Sequence, residues 1–543
     1  LRGVNNCEEA LNAFHKAVSI NPNYAEAFSN MGIALKDQGK LDNALIAFQK
    51  SISLKPNHVE AYNSIGNIFK EQGELEEAIK AYKKCLDINP NYETARAHKL
   101  FQEANICDWR SINKDRQFIS QLGTLNEAVS PFAMLILEDA PERHRIRSEV
   151  YAKEQYFDKS LSLPVIQSNK LKRIRIGYFS ADFHNHATMH LIAKVFEAHD
   201  KHKFEIFVYS YGPENKDKMR YRLINSVDVF NDVREMSDKD IALLARQDKI
   251  DCAIDLKGYT QNQRLGIFSY RPAPIQISYL GYPGTTGTNF IDYIIADPIV
   301  IPDVNQFHFS EKIIYLPNSY QPNDNTRSVS AKISSRKDMG LPENDFVFCC
   351  FNNNYKITSV EFDIWMRLLA KIENSVFWLL KSNHCAENNL KREAEKRGIS
   401  KNRLVFAKKL PQDEHLERHK HADLFVDTFN VNAHTTASDA LWAGLPVVTK
   451  LGNSFASRVG GSLLNAIGLP ELVAENKKDY ECLILNLATK PSMLNNIKEK
   501  LASNRSTHSL FNTEQYTKQL ENSYQKAYEN YLKGSPPKNI KII

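Results

Sequence analysis

Apolar residues keep two rhythms along this chain. From residue 172 onward, short continuous apolar runs alternate with longer stretches whose apolar residues recur three or four apart. The first rhythm suits a strand buried on both faces, the second a helix with one covered side. "IRIGYFS", "FEIFVYSYG", the end of "DKDIALLARQDKIDCAIDL" and "PIQISYL" read as strands; "HLIAKVFEAHD" and the start of the third segment read as helices. The texture restarts at "DFVFCCF" (345–351) and runs through "NSVFWLL", "RLVFAKKL", "ADLFVDTF" and "LPVVTK". Strand–helix alternation predicts a parallel sheet, and two blocks, 161–330 and 331–510, predict two doubly wound lobes with a cleft between them. "NTEQYTKQLENSYQKAYENYL" predicts a last helix with Tyr516, Leu520, Tyr524 and Tyr531 on its core face, and the tail "GSPPKNIKII" is expected to be loose, the two making up 511–543.

The first 96 residues follow a longer period. Pro22, Pro56 and Pro90 are 34 apart, as are Ala10, Ala44 and Ala78, and Phe14, Phe48 and Tyr82; Gly32 matches Gly66, and Gly39 matches Gly73. Small residues let two helices approach, aromatics fill the gap, and each Pro ends the second helix, which is the tetratricopeptide pattern. Leu1 falls inside a repeat, so the chain is expected to be part of a longer protein with more repeats upstream. Residues 97–160 lose the period; "KLFQEANICDW" and "HRIRSEVYAKEQYF" predict a helical connector.

Composition narrows the class. At 543 residues, 42% hydrophobic and 25% charged, the chain has room for three or four globular domains. Its net charge of +6 is spread without a dense Lys/Arg block, so nucleic acid is not implied, and no apolar run is long enough for a membrane span. Eight cysteines without a C-x-x-C pair point to a reducing, cytoplasmic setting.

Chemistry concentrates where strands end. "NAHTTASDALWAGLPVVTK" (432–450) is loop, helix and strand, and its helix start supports two readings. Thr436 and Asp439 fit a capping box, while free amides, the positive dipole end and the hydroxyls of Thr435 and Thr436 fit a phosphate. Lys356 in "FNNNYKITS" follows a buried strand, where it could neutralise a phosphate leaving group. His415 and Arg418 in "LPQDEHLERH" sit on adjacent turns of a helix start. His184, His186 and His190 lack the H-E-x-x-H pattern and read as polar loop contacts rather than zinc ligands. Asp238 and Asp240 form the one D-x-D pair, but Ser237 with Asp240 reads as a helix cap, so no metal is expected. Neither a P-loop nor a G-x-G-x-x-G fingerprint occurs.

Taken together, the segments resemble the O-linked N-acetylglucosamine transferases, in which tetratricopeptide repeats precede a two-lobed glycosyltransferase domain. The resemblance rests on the repeats, "CDW" (107–109), "DFHNHATMH", "RPAPIQISYLGYPGTTG", "FNNNYK", "EHLER", "HTTASDALWAGLPVVT" and "SFASRVGGSLL". It implies an α-helical solenoid followed by a GT-B-type α/β domain of two Rossmann-like lobes, the second binding UDP. It further implies inverting, metal-independent transfer of N-acetylglucosamine from UDP to Ser or Thr hydroxyls of proteins held by the repeats. Carried onto this sequence, it gives Lys356 the departing diphosphate, Thr435 and Thr436 the β-phosphate, and Asp439 the ribose. His415 and Arg418 would flank the uridine; His186 and His434 would border the sugar, against a wall of Leu280, Gly281 and Pro283. His186, a nearby carboxylate and a phosphate oxygen of the donor are the candidate proton acceptors. Gln412 and Asn353 fall at nucleotide-binding positions where the family often carries Lys and Gln, and Asp228 stands near a His of some relatives. Another donor, UDP-glucose or GDP-fucose, and a repeat scaffold without turnover are the rival readings.

Overall fold

The computed structural model describes residues 4–125, 127–156, 173–332 and 334–543, so the expected connector–lobe boundary at 160/161 lies outside the described residues. The chain divides into two compact units, 1–133 and 134–543.

In the first unit, Val4–Ile20, Ala25–Asp37, Leu41–Leu54, Val59–Gln72, Leu75–Ile88 and Glu93–Asn105 are helices. Pro22, Pro56 and Pro90 follow the first, third and fifth, where a residue without an N–H cannot continue the helix. The period-34 residues meet as their sizes require: a Cβ added at Gly66 would lie 2.4 Å from the Tyr82 ring, and one at Gly32 2.8 Å from the Phe48 ring. Phe48 and Tyr82 are fully buried in consecutive core clusters. Replacing Gly66 by Val must therefore displace Tyr82, an overpacking cost of about 1–3 kcal/mol. We expect faster amide hydrogen exchange across residues 59–88 of the variant chain, with exchange in the second unit unchanged.

The segment expected to connect repeats and lobes is divided between the units. Trp109–Asp115 stays with the repeats, where Asp115 binds Arg96 at 2.6 Å and Lys99 at 2.6 Å. Pro141–Tyr156 belongs to the second unit, where Arg147 is buried against Glu138.

The second unit holds two all-parallel sheets. The first contains β1 (Ile174–Ser180), β2 (Phe204–Ser210), β3 (Val229–Asp232), β4 (Cys252–Asp255), β5 (Ile275–Ser278), β6 (Tyr293–Ala296) and β7 (Lys312–Tyr315). The second contains β8 (Phe346–Cys350), β9 (Ser375–Leu380), β10 (Leu404–Ala407), β11 (Leu424–Val426), β12 (Val447–Lys450) and β13 (Val473–Ala474). A last strand, β14 (Ile540–Lys541), closes the first sheet, giving the orders β14-β7-β6-β5-β4-β1-β2-β3 and β10-β9-β8-β11-β12-β13. Each order reverses once, at β1/β4 in the first sheet and β8/β11 in the second. Loops leaving the carboxyl ends of such strand pairs diverge to opposite faces and open a crevice, where ligands of these sheets bind.

Two expectations about the C-terminus are corrected. The tail is not loose: Ile540 pairs with Ile314, the Ile542 N–H donates to the Tyr315 carbonyl at 2.9 Å, and Ile540 and Ile542 are buried. The open edge of β7 supplies the partner that a short isolated run lacks. In the helix Thr513–Leu532, Tyr516, Leu520, Tyr524 and Tyr528 are buried, whereas Tyr531 is only half-buried, one residue before the helix ends. The helix packs on the first lobe, and the Tyr516 hydroxyl donates to the Tyr320 carbonyl at 2.5 Å.

Candidate active site

At the second lobe's switch point, β8 and β11 send their loops toward each other. Beyond β11 stands Asp427, fully buried, whose carboxylate accepts hydrogen bonds from the Thr428 N–H (2.8 Å), the Ala433 N–H (2.6 Å), the Asn352 amide (3.2 Å) and the Thr449 hydroxyl (2.7 Å). These donors fold 427–433 into a tight loop that delivers the helix Thr435–Trp442. Burial pushes the Asp427 carboxyl up to about 6, against the pull of its donors and of Lys356.

Lys356 approaches from the β8 loop. It ends a short 3-10 turn, Asn354–Lys356, and its Nζ donates to the Asn432 carbonyl at 2.8 Å. Burial pulls its ammonium down to about 8, with Asp427 opposing the shift. A capping box of Thr358 and Glu361 fixes the following helix and so the turn that carries Lys356.

No capping box forms at the helix Thr435–Trp442. Its N-cap is His434, without a side-chain cap bond. The Thr436 hydroxyl donates instead to Asn352 Oδ1 at 2.5 Å, and Asp439 turns away to Arg327 and to the Gln412 amide at 3.2 Å. Tertiary partners take both groups that the spacing assigned to each other. The helix end thus presents its positive pole without a side-chain acceptor, beside Lys356. Burial, then Lys356, holds His434 down to about 3, so it is a neutral ring, with Nε2 3.2 Å from the Ala456 carbonyl.

His415, Arg418, Asp439 and Gln412 form a second cluster. His415 packs against Phe351, with Nε2 3.7 Å from Asp439 Oδ2 and Nδ1 against the Arg418 guanidinium; burial holds it well below the ordinary imidazole range. Arg418 is 1% exposed, lies over the Phe351 ring with its guanidinium carbon 4.3 Å from the ring centre, and donates to the Lys408 carbonyl at 2.6 Å. Its guanidinium orients His415 from behind. Asn353 is exposed and its amide donates to the Tyr355 hydroxyl at 3.2 Å, outside both clusters.

The first lobe contributes from its own switch point. Beyond β1, Asp182 forms a buried ion pair with Lys257 from beyond β4, at 2.7 Å. His186 caps the helix Ala187–Ala198: its Nδ1 accepts from the Thr188 N–H at 3.2 Å and lies 3.5 Å from Asp182 Oδ2. Burial lowers its pKa, and with Nδ1 accepting, the neutral ring carries its proton on Nε2. After β5, Leu280 holds a left-handed φ of +67°, and a Cβ at Gly281 would meet the Leu256 carbonyl at 2.0 Å, so only glycine fits there. Leu280 and Gly281 are half-buried and Pro283 is buried. Asp228 takes the Ile206 N–H at 2.9 Å near the start of β2, the end of the sheet opposite these loops, and is not part of the site.

Asp427, Asn352, Arg327 and the Asp182–Lys257 pair escaped the sequence reading. A carboxylate closing the apolar run "ADLFVDTF" was a signal for Asp427; Arg327, in the segment joining the lobes, left none. Among the described residues no group of three or more His, Cys, Asp or Glu side chains could hold a metal ion.

Comparison with known proteins places these features in context. Residues 150–331 and 324–520 match the model of Glycosyl transferase family 41, and 5–39, 34–73 and 59–92 match tetratricopeptide-repeat models. The chain is 36% identical over 393 residues to a probable UDP-N-acetylglucosamine–peptide N-acetylglucosaminyltransferase of Arabidopsis thaliana, covering 71% of this chain and 40% of the relative. It is 27% identical over 565 residues to the UDP-N-acetylglucosamine–peptide N-acetylglucosaminyltransferase of Caenorhabditis elegans, covering 80% and 49%. The chain thus spans half or less of these relatives' lengths. A mutant O-GlcNAc transferase of Thermobaculum terrenum shares the fold, with a TM-score of 0.72 over 98% of this chain and 99% of that one, at 24% identity.

Proposed function

The chain belongs to glycosyl transferase family 41, and from that premise we propose that it transfers N-acetylglucosamine from UDP to Ser or Thr hydroxyls of proteins, with inversion and without a metal. The observation that carries this reading is the second lobe's switch point, where the Lys356 ammonium and the uncapped end of the helix Thr435–Trp442 stand together around Asp427. Two fixed positive poles at a crevice suit a diphosphate, and they supply the charge stabilisation that a metal would otherwise give a leaving UDP.

The acceptor hydroxyl oxygen attacks the anomeric carbon from the face opposite UDP, the bond from that carbon to the diphosphate oxygen breaks, and the electron pair leaves with UDP. Lys356 and the helix end neutralise the charge that develops there. His186, with its proton on Nε2, donates to the sugar side rather than serving as base. Asp182 and Asp439 are held in ion pairs, which leaves a phosphate oxygen of the donor to receive the hydroxyl proton. Leu280, Gly281 and Pro283 wall the sugar, and the repeats hold the protein acceptor.

The relatives' names and the repeat array support a protein acceptor. Free thiols at the described cysteines support a cytoplasmic setting, and no described helix is long and apolar enough to cross a membrane.

Incubating the protein and a peptide library with labelled UDP-N-acetylglucosamine, UDP-glucose and GDP-fucose tests the reading. We expect label from the first donor only, β-linked to Ser or Thr, at a rate unchanged by EDTA. Preferred transfer from another donor would reassign the sugar. Absence of UDP binding at millimolar concentration would point to a scaffold.

A further inference from the structure

We propose that Arg327 is a nucleotide-binding residue that braces Asp439 with one guanidinium nitrogen and gives the other to the ribose of a bound uridine diphosphate. The inference rests on the nucleotide reading above and assigns a residue to it from a part of the chain that no motif marks. Arg327 lies in the segment joining the two lobes and is 8% exposed. Its Nε donates to the Asp324 carbonyl at 3.1 Å, its Nη1 pairs with Asp439 Oδ1, and its Nη2 is buried with no hydrogen-bond partner among the described residues.

That geometry separates two roles. A guanidinium whose task was only to neutralise Asp439 would take both carboxylate oxygens in a fork. Arg327 takes one, and Oδ2 is left to the Gln412 amide at 3.2 Å and to His415 Nε2 at 3.7 Å. A buried donor without a partner is costly, and a ligand acceptor would remove that cost. Groups of both lobes surround Arg327. His190 of the first lobe and His415 of the second both feel the charges of Arg327, and burial favours the neutral form of each. Trp442 donates to the Arg327 carbonyl at 3.2 Å and holds the backbone in place. An unspent donor on Nη2 beside a carboxylate with accepting capacity on Oδ2 is a donor–acceptor pair suited to the adjacent hydroxyls of a ribose.

Calorimetry of the full chain with UDP and with 2′,3′-dideoxy-UDP tests this. The wild type is expected to prefer UDP, and Arg327→Met to lose about tenfold or more in UDP affinity, the worth of one charge-assisted hydrogen bond, while binding the dideoxy nucleotide with little change. Arg327→Lys keeps the charge beside Asp439 and guards against a folding defect. A single ammonium cannot serve both acceptors in the fork geometry, so it too is expected to lose the preference. If both variants weaken the two nucleotides in parallel, or leave UDP affinity unchanged, Arg327 is a counter-ion only and the inference falls while the UDP reading stands. If the wild type binds no UDP, the reading beneath it falls as well.

Discussion

Replacing Lys356 by Met is expected to lower sugar transfer by about a hundred- to a thousandfold, the loss that follows removal of one preorganised group at a developing negative charge. Met keeps the apolar stem, so the fold is expected to survive. Among the described residues Lys356 has no carboxylate within ion-pair distance; its Nζ is held by the Asn432 carbonyl, and Asp427 acts on it from behind. A cation held by a neutral acceptor in a half-buried site is free to meet a diphosphate. The defect should fall mainly on kcat, because in the proposed reaction the charge that Lys356 answers grows as UDP departs.

The same lysine sets a pH dependence. With its ammonium pulled down to about 8, raising the pH through that value removes the positive charge from the unliganded enzyme, so kcat/KM falls on the alkaline side. Protonation of Asp427, pushed up to about 6, removes the loop's charged acceptor and lowers kcat/KM on the acid side. A bell is expected for the wild type. Residual activity of Lys356→Met should lack the alkaline limb, and a limb that persisted unchanged would take Lys356 out of this role.

Asp427→Ala is expected to do more general damage. Its carboxylate is fully buried and is the shared acceptor for two backbone N–H groups, the Asn352 amide and the Thr449 hydroxyl. Removing it strands four buried donors at once, a cost of about 3–5 kcal/mol when each stranded donor costs roughly 1 kcal/mol. We expect a melting midpoint lowered by several degrees and transfer below detection, because the loop that carries both Asn432 and the start of the helix Thr435–Trp442 loses its centre. Asp427→Asn keeps one acceptor oxygen and the side-chain shape. It should melt closer to the wild type yet remain impaired, which separates the charge from the hydrogen bonds. Wild-type melting and transfer in the Ala variant would show that the loop holds itself.

The candidate site was unevenly legible. Lys356, Thr435, Thr436, His415 and Asp439 each lie just beyond a strand-length apolar run, and the parallel topology carries all such positions to one edge of a sheet. The spacing of Thr436 and Asp439 misled, because a capping box is a local bond and both groups found stronger partners across the fold, Asn352 and Arg327. Asn353 sits inside the motif "FNNNYK", but its side chain turns outward to Tyr355. Position in a motif fixes the backbone; side-chain direction follows from the turn.

The sequence alone determined the repeats and the two strand–helix blocks, because period, strand length and residue size act over a few neighbouring residues and leave a mark in their order. Gly66 against Tyr82 is such a mark. Only the tertiary structure decided that Ile540 closes the first sheet, that Asp427 centres the loop 427–433, and that Arg327 reaches Asp439 from 112 residues away. A buried charge or an open strand edge takes whatever partner the fold brings near, and separation along the chain places no constraint on that partner.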